Sequence, residues 1–412
     1  MLRGARPTVR GIVLAVIGVV IAVAAGLVGE PDLMWIGLFL AALPLLSVLF
    51  VILFQPKLEY ERSLTPAEVP VGDNGEATVL LRNRNPIGAT TLELMDQAPA
   101  ALGGGARFVV ARAFGSWKQG VRYAFRASQR GRYMVGPLRA KAGDPLGLAV
   151  AVMKPAGDPT QMRVTPRIWP IAEVHKGMGI GAAGESAPQR SGQAGQDDVL
   201  VREHRHGDDI RRVHWRMSAK QGELMVRMEE HPWDPSALVV IDIRRSAHSG
   251  TDAESSLEWA ISAGTSVAVR MSDLRYRLLV AGGSGMIFED RQLKGAAQRR
   301  AIVDAMTDVV ASDERDLDAA LGESESLDAT GSLVVFSGVL TTRDAASLVS
   351  LGRRMSKPCI LLPDATAWQI PAPEQSDAIR LLTRSGWAIE QFAPGDSVSA
   401  AWQRMQVRQA AA

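Results

Sequence analysis

The sequence predicts a multidomain α+β protein with three structural parts. These are an N-terminal transmembrane helical hairpin, an antiparallel β-sandwich of the immunoglobulin-like type, and a doubly wound α/β domain. The chain begins with two uncharged apolar stretches, continues with short apolar segments broken by turn residues, and then alternates apolar strands with helices. Because the chain has 412 residues, it is too long for one compact core. We expect the hairpin at 1–56, the sandwich at 57–170, a Gly-rich linker with a charged segment at 171–235, and the α/β domain at 236–412.

The first element is a pair of membrane helices at about 11–28 and 33–54, both of which are free of charged residues. A bilayer core needs about 20 apolar helical residues, so each stretch is able to span. A cleaved signal peptide is the alternative for the first stretch, but a second stretch follows after a turn that carries only Glu30 and Asp32 as charges. The flanking basic residues are Arg3, Arg6 and Arg10 before the first helix and Lys57 and Arg62 after the second. The positive-inside rule therefore predicts a cell-membrane protein with the N- and C-termini in the cytoplasm.

The second element reads as short strands separated by turns. Apolar alternation recurs at Ala77–Leu81, Phe108–Val110 and Arg122–Phe125, and turn residues occupy Gly72–Gly75 and Gly103–Gly105. This spacing is typical of an antiparallel β-sandwich. The segment holds no catalytic pattern, so we interpret it as a spacing or docking module.

The third element begins with a continuous apolar run, Ala237–Ile241, that ends in Asp242. Such a run is typical of a buried parallel strand. We expect helices at 253–270, 293–310, 376–383 and 397–406 and strands at 276–280, 285–288, 333–336, 360–362 and 388–389. Alternating strands and helices predict a doubly wound sheet, in which ligands bind at the carboxyl ends of the strands.

A densely charged segment precedes this domain. Residues 202–230 carry seven basic and six acidic side chains, and the near-balance disfavours a nucleic-acid-binding patch. We interpret the segment as a buried or half-buried ion-pair network that locks it against a neighbouring domain. Its expected members are Arg202, Glu203, Gly207, Asp208, Asp209, Arg211, Trp215, Arg216 and Arg227.

The same residues resemble the bacterial "domain of unknown function 58" family. The matching positions are Arg202, Glu203, Gly207, Asp208, Asp209, Arg211, Trp215, Ala219, Leu224, Val226, Arg227 and Glu230, with departures at Val201, His204, Arg216 and Lys220. Arg130–Tyr133, Asp144–Leu148 and Val164–Arg167 are also similar to the family. The resemblance covers about residues 55–290.

The resemblance implies a partnership with a MoxR-type AAA+ ATPase and with other von Willebrand factor A proteins. The leading hypothesis is therefore a membrane-anchored scaffold or adaptor for protein–protein interaction in assembly or envelope-related processes. It is not expected to be an enzyme or to carry a cofactor.

A possible metal site remains open as an alternative. Asp242 and Ser246 are similar to the ends of the Asp-x-Ser-x-Ser motif that begins the metal-ion-dependent adhesion site of von Willebrand factor A domains. Arg244 stands in place of the middle Ser, and its guanidinium would repel a divalent cation and could pair with Asp242. We expect a metal-free fold of this type. A Mg²⁺- or Mn²⁺-dependent binding protein is the alternative.

A hydrolase that uses Asp208 and Asp209 with neighbouring histidines is a weaker alternative. Five of the six histidines, His204, His206, His214, His231 and His248, fall within residues 204–248. The sequence lacks the His-Glu-x-x-His and Gly-x-Ser-x-Gly patterns, which disfavours zinc or nucleophilic catalysis. The single cysteine, Cys359, lies in an apolar run and is expected to be a buried small side chain.

Overall fold

The computed structural model shows a mixed α/β chain with two N-terminal apolar helices and several β-sheets. It describes residues 3–54, 56–85, 90–112, 115–153, 157–171, 201–203, 213, 215–227, 236–283, 285–289, 293, 295–322 and 331–411.

The N-terminal part is a helical hairpin preceded by a short strand. Its elements are β1 (Arg3–Pro7), α1 (Val9–Val28) and α2 (Pro31–Leu53). At a rise of 1.5 Å per residue the helices are about 30 and 35 Å long, and both are long and apolar enough to cross a membrane. They cross at Gly18 and Gly37, where a Cβ atom on either glycine would lie 2.7 Å from the other's carbonyl oxygen. This close approach requires glycine at both positions.

The second part consists of antiparallel sheets that share buried cores. Its strands are β2 (Leu58–Thr65), β3 (Glu68–Pro70), β4 (Asn74–Asn83), β5 (Thr90–Gln97), β6 (Gly105–Arg112), β7 (Trp117–Arg126), β8 (Gly131–Val135), β9 (Leu138–Gly143), β10 (Ala149–Val152) and β11 (Thr160–Thr165). They form sheets with the orders β1-β10-β9-β5-β6, β2-β4-β7 and β3-β11-β8. Leu81 of β4 packs with Leu92 and Leu94 of β5, so the first two sheets face each other.

Two features of this part differ from the expectation. The β3–β11 pair is parallel, and β1 pairs with β10, so a segment assigned to the hairpin completes a sandwich sheet. Arg62, counted as a charge flanking the membrane, has its side chain buried beside Asp96, to which it donates hydrogen bonds. The basic charge after α2 is therefore smaller than the sequence indicated.

Two short strands and a helix lie between the sandwich and the C-terminal domain. They are β12 (Val201–Glu203), α3 (Trp215–Gln221) and β13 (Met225–Arg227). β12 and β13 are antiparallel, and Met225 and Val226 are buried. The described part of the charged segment thus contains a small two-stranded antiparallel sheet and a short helix.

The C-terminal part is an α/β domain. Its elements are β14 (Ser236–Ile241), α4 (Ser256–Asp273), β15 (Arg277–Gly282), β16 (Gly285–Glu289), α5 (Ala296–Thr307), α6 (Asp318–Gly322), β17 (Ser332–Phe336), α7 (Thr342–Gly352), β18 (Ser356–Pro363), α8 (Gln375–Arg384), β19 (Ala388–Phe392) and α9 (Val398–Ala411). The sheet order is β16-β15-β14-β17-β18-β19, and all pairs are parallel except β15–β16.

Helices cover both faces of this sheet. Val239 of β14 packs with residues of α4, α5 and α9 on one face, whereas Val240 packs with residues of α6, α7 and α8 on the other. Since both faces of β14 are covered, its continuous apolar run has a simple physical cause. The central strand β14 carries Asp242 to the carboxyl edge of the sheet. The helices α6 and α7 were not predicted from the sequence.

Candidate functional site

The carboxyl edge of the central strands holds a buried arginine between two carboxylates. The Nε and Nη2 atoms of Arg244 donate to the two oxygens of Asp242 at 2.9 and 2.8 Å. Its Nη1 atom donates to the carboxylate of Asp344 at 3.1 and 3.2 Å. All three side chains are buried. We call these three residues the arginine centre.

Asp242 directly follows β14, and its carboxylate is fully engaged. It also accepts hydrogen bonds from the backbone amides of Arg244 at 3.0 Å and Gly338 at 3.1 Å, and from the Ser337 hydroxyl at 3.4 Å. Burial alone would raise the pKa of Asp242, but the hydrogen bonds and charge of Arg244 outweigh burial and hold that pKa below its usual value. Asp242 is therefore ionised at neutral pH.

Asp344 is placed by the first turn of α7. Its carboxylate accepts from the Thr341 amide at 3.0 Å and hydroxyl at 2.9 Å, and its own amide donates to the Thr341 hydroxyl. This reciprocal capping box fixes the helix start. The amide of Leu317 donates to the same carboxylate at 3.2 Å. Asp344 was not predicted from the sequence, although Thr341-x-x-Asp344 is the pattern of a capping box.

The arginine has a matching set of acceptors. Besides the two carboxylates, its Nη1 atom donates to the carbonyl oxygen of Arg315 at 3.1 Å. Burial lowers the pKa of Arg244, but the hydrogen bond and charge of Asp242 and the charge of Asp344 raise it above its ordinary value. The guanidinium therefore lies between two carboxylates, and each of its three nitrogens donates to one of them.

His248 lies beside the arginine centre. Its Nε2 atom is 2.8 Å from the carbonyl oxygen of Asp242, and its Nδ1 atom is 3.1 Å from the Ser256 hydroxyl. Burial lowers the pKa of His248, against the opposing charge of Asp242. Both ring nitrogens are used in binding the turn that connects β14 to α4, which is a structural role. The other four histidines named above lie outside the described residues.

The sequence-predicted metal pair does not come together as a ligand set. Asp242 is buried in the arginine centre, whereas Ser246 is exposed on the following turn. A cation near Asp242 would have to displace the guanidinium of Arg244. Among the described residues, no group of three or more His, Cys, Asp or Glu side chains is placed to hold a metal ion.

The charged motif is described only in part. Gly207, Asp208, Asp209 and Arg211 lie outside the described residues, and nothing is described of the Arg202, Glu203 and Arg227 side chains. Trp215 and Arg216 are exposed at the start of α3, which differs from the buried or half-buried network expected for them. The buried side chains next to the small β12–β13 sheet are those of Val213, Met225 and Val226, and not that of Trp215.

The ion pairs that join the sandwich to the α/β domain are made by arginines of the sandwich, and not by the charged segment at 202–230. The nearly buried Arg130 pairs with Glu258 in the first turn of α4 and donates to the Val309 carbonyl. Arg132 pairs with Asp308 at 2.8 Å. Arg130 and Arg132 belong to a segment that the sequence analysis noted only for its family resemblance.

Further contacts join the sandwich and the α/β domain near the Arg130–Glu258 ion pair. Arg163 of β11 pairs with Asp304 of α5, and Gln129 donates to Asp252 at 2.7 Å. Ala253 packs against the sandwich core near Val69. The turn that runs from His248 to α4 therefore contacts the arginine centre at one end and the sandwich at the other.

Comparisons with known proteins identify one family. The family model described as "Protein of unknown function DUF58" matches residues 200–372, which supports the resemblance seen in the charged segment and extends into the α/β domain as far as the segment after β18. No curated protein matches the chain.

Similar solved structures are remote. A CARDB domain from Pyrococcus furiosus is 16% identical, with a TM-score of 0.20, and the match covers 26% of this chain and 91% of that one. A beta-glucosidase from Listeria innocua is 15% identical, with a TM-score of 0.18, over 27% of this chain and 16% of that one. The alkylpurine DNA glycosylase AlkC of Pseudomonas fluorescens is 13% identical, with a TM-score of 0.16, over 33% of this chain and 39% of that one. At these TM-scores the likenesses carry no argument about fold or function.

Proposed function

We propose that the chain is a membrane-anchored scaffold or adaptor for protein–protein interaction. In this proposal α1 and α2 anchor it in the cell membrane, and both termini and the folded domains lie in the cytoplasm. It works with a MoxR-type AAA+ ATPase and other von Willebrand factor A proteins in assembly or envelope-related processes. The observation that carries the proposal is the buried pairing of Arg244 with Asp242 and Asp344.

The arginine centre favours a metal-free binding domain. The sheet order, the helices on both faces and an aspartate after the central strand suit a von Willebrand factor A-like fold. In metal-binding domains of that type, a cation at this edge bridges the domain to its ligand. Here the guanidinium of Arg244 neutralises Asp242 in the cation's place. Partner binding at this edge would therefore use protein contacts alone.

The surface around the arginine centre suits a protein partner. Arg245, Asp313 and Arg343 carry charges of both signs and are exposed there, which allows complementary pairing with a partner surface. Beside them is an open hollow of about 520 Å³ lined partly by Ile243 and the exposed Val310. The exposed lining of this hollow is mainly polar, so a partner would meet charged and neutral polar groups there.

The test is affinity purification of the tagged full chain from membranes, with quantification of co-purified AAA+ ATPase. Charge reversal at Arg343, whose side chain is 70% exposed, should lower ATPase recovery several-fold. The matched control is Arg122→Glu in the sandwich, whose side chain is 76% exposed and similarly paired. Equal recovery of the ATPase with Arg343→Glu, Arg122→Glu and the unchanged chain would refute binding at this edge. Absence of the ATPase from all three would refute the partnership itself.

The alternatives gain no support from the described residues. The metal-dependent reading needs Asp242 and Ser246 as joint ligands, and Arg244 already takes both oxygens of Asp242. The hydrolase reading rests on Asp208 and Asp209, which lie outside the described residues.

A further inference from the structure

The loop between β9 and β10 contacts the first turn of membrane helix α1. The backbone amide of Thr8 donates to the Leu148 carbonyl, and the Thr8 hydroxyl donates to the Gly147 carbonyl, both at 2.8 Å. A Cβ atom on Gly11 would lie 2.3 Å from the Leu148 oxygen. Because α1 begins at Val9, this loop lies at the end of the apolar span.

The loop is braced by its own aspartate. The buried carboxylate of Asp144 accepts from the amides of Leu146 at 2.9 Å and Ala149 at 2.6 Å, and its carbonyl accepts from Gly147 at 3.1 Å. These amides are satisfied within the loop, and Pro145 has none to satisfy. A loop without regular secondary structure is costly to place in an apolar medium because its backbone amides lose their hydrogen bonds to water. The hydrogen bonds within this loop reduce that free-energy cost at the boundary between headgroups and acyl chains.

The sheet that carries the loop is fixed to the second membrane helix as well. Val51, in the last turn of α2, is fully buried against Ala149 and Ala151 of β10. The side chain of Leu146 at the loop tip is instead 61% exposed. A leucine held in the open by a hydrogen-bonded loop, beside the ends of two apolar helices, is available to contact lipid.

We propose that the loop Asp144–Leu148 inserts Leu146 into the boundary between headgroups and acyl chains. The sandwich then contacts the lipid surface directly, in addition to its contacts with α1 and α2. The exposed Arg6 and Arg10 flank the same region and suit anionic headgroups. This inference rests on the proposed membrane anchoring and adds a second, interfacial contact with the same bilayer.

The test uses an environment-sensitive fluorophore attached to Leu146→Cys in the full chain. The chain is reconstituted in vesicles of phosphatidylethanolamine and phosphatidylglycerol. The native Cys359 is buried, and burial raises the pKa of its thiol, so labelling of the unchanged chain gives only a low background. The measurement is quenching by lipids that carry a nitroxide at the headgroup or deep in the acyl chain.

Two matched positions make the result decisive. The first is Met134→Cys. Met134 is 52% exposed and lies in β8, which precedes the end of β9 that is farther from the loop. Val20→Cys lies on an exposed face in the middle of α1.

The expected result is headgroup quenching at Leu146 at least three-fold stronger than at Met134, with deep quenching at Val20. Equal headgroup quenching at Leu146 and Met134, with deep quenching at Val20, would overturn the insertion of the loop alone. No deep quenching at Val20 would overturn the membrane anchor and this inference with it.

Discussion

Replacing Arg244 with alanine tests whether the arginine centre stabilises the α/β domain. Both carboxylates, of Asp242 and Asp344, are completely buried, and the substitution removes the guanidinium that pairs with them. Removing one member of a buried ion pair typically costs about 3–5 kcal/mol, against a total domain stability of about 5–15 kcal/mol. We therefore expect Arg244→Ala to unfold at a much lower denaturant concentration than the unchanged chain.

The assay is denaturant unfolding of the full chain in nanodiscs, followed by tryptophan fluorescence. Trp259, Trp368 and Trp402 belong to the core of the α/β domain and report on its unfolding. The control is Arg343→Ala, which removes an exposed arginine from the same edge. Because exposed ion pairs contribute little, this control should unfold close to the unchanged chain.

The pH dependence gives a second measure of the same effect. In the unchanged chain the pKa of Asp242 is lowered, so its contribution to stability is present above the unfolded-state pKa of about 3.9. It is lost as the pH falls through the lower folded-state pKa. Without the guanidinium of Arg244, the largest opposition to burial is lost and the pKa of Asp242 rises. The free energy of unfolding of the variant should then rise as the pH falls from 8 to 5. In the unchanged chain, the contribution of Asp242 to that free energy decreases as the pH falls.

One outcome would refute this reasoning. The reasoning is wrong if Arg244→Ala unfolds at the same denaturant concentration as the unchanged chain at pH 8. Water would then solvate the two carboxylates, and the arginine centre would not be desolvated. A neutral set, Asp242→Asn with Arg244→Met and Asp344→Asn, should recover much of the loss, because the penalty comes from unpaired charge.

Three further predictions concern topology, metal binding and the domain junction. Reporter fusions after residue 56 and at the C-terminus should both report the cytoplasm; a periplasmic or extracellular signal at the C-terminus would contradict the orientation. Titration calorimetry should find Mg²⁺ or Mn²⁺ binding no tighter than millimolar, whereas micromolar binding that Asp242→Ala abolishes would support the metal-dependent alternative. Arg130→Ala should increase proteolysis between the sandwich and the α/β domain, because it leaves Glu258 unpaired; the exposed Arg132→Ala is the control, and equal cleavage in both variants would contradict a role for burial.

Elements with strong local patterns were readable from the sequence. The two apolar spans became α1 and α2 within two residues of the expected bounds, because length and absence of charge define a membrane helix. The run ending in Asp242 became the central strand β14, because a strand covered on both faces is apolar at every position. The short helix α7 was missed, although its capping box was visible in the sequence.

Ion pairs and strand pairs between residues far apart in the chain could not be predicted from the sequence. Asp344 lies 100 residues from Arg244, and Glu258 lies 128 residues from Arg130, so no local pattern connects either pair. β1 was missed for a similar reason, since its partner β10 is far along the chain. A single sequence shows which residues carry charge but not which of those charges the fold brings together.

At the described positions of this chain, charge density was a poor guide to burial. The densest cluster, at 202–230, includes the exposed Trp215 and Arg216, whereas the buried arginines Arg130 and Arg244 stand in segments of ordinary charge. The physical reason is desolvation: burying a guanidinium is costly unless carboxylates take up its donors, as Glu258 does for Arg130 and Asp242 and Asp344 do for Arg244. In a single sequence, a lone arginine beside an aspartate at the end of an apolar strand is therefore a better signal of a buried ion pair than a run of alternating charges.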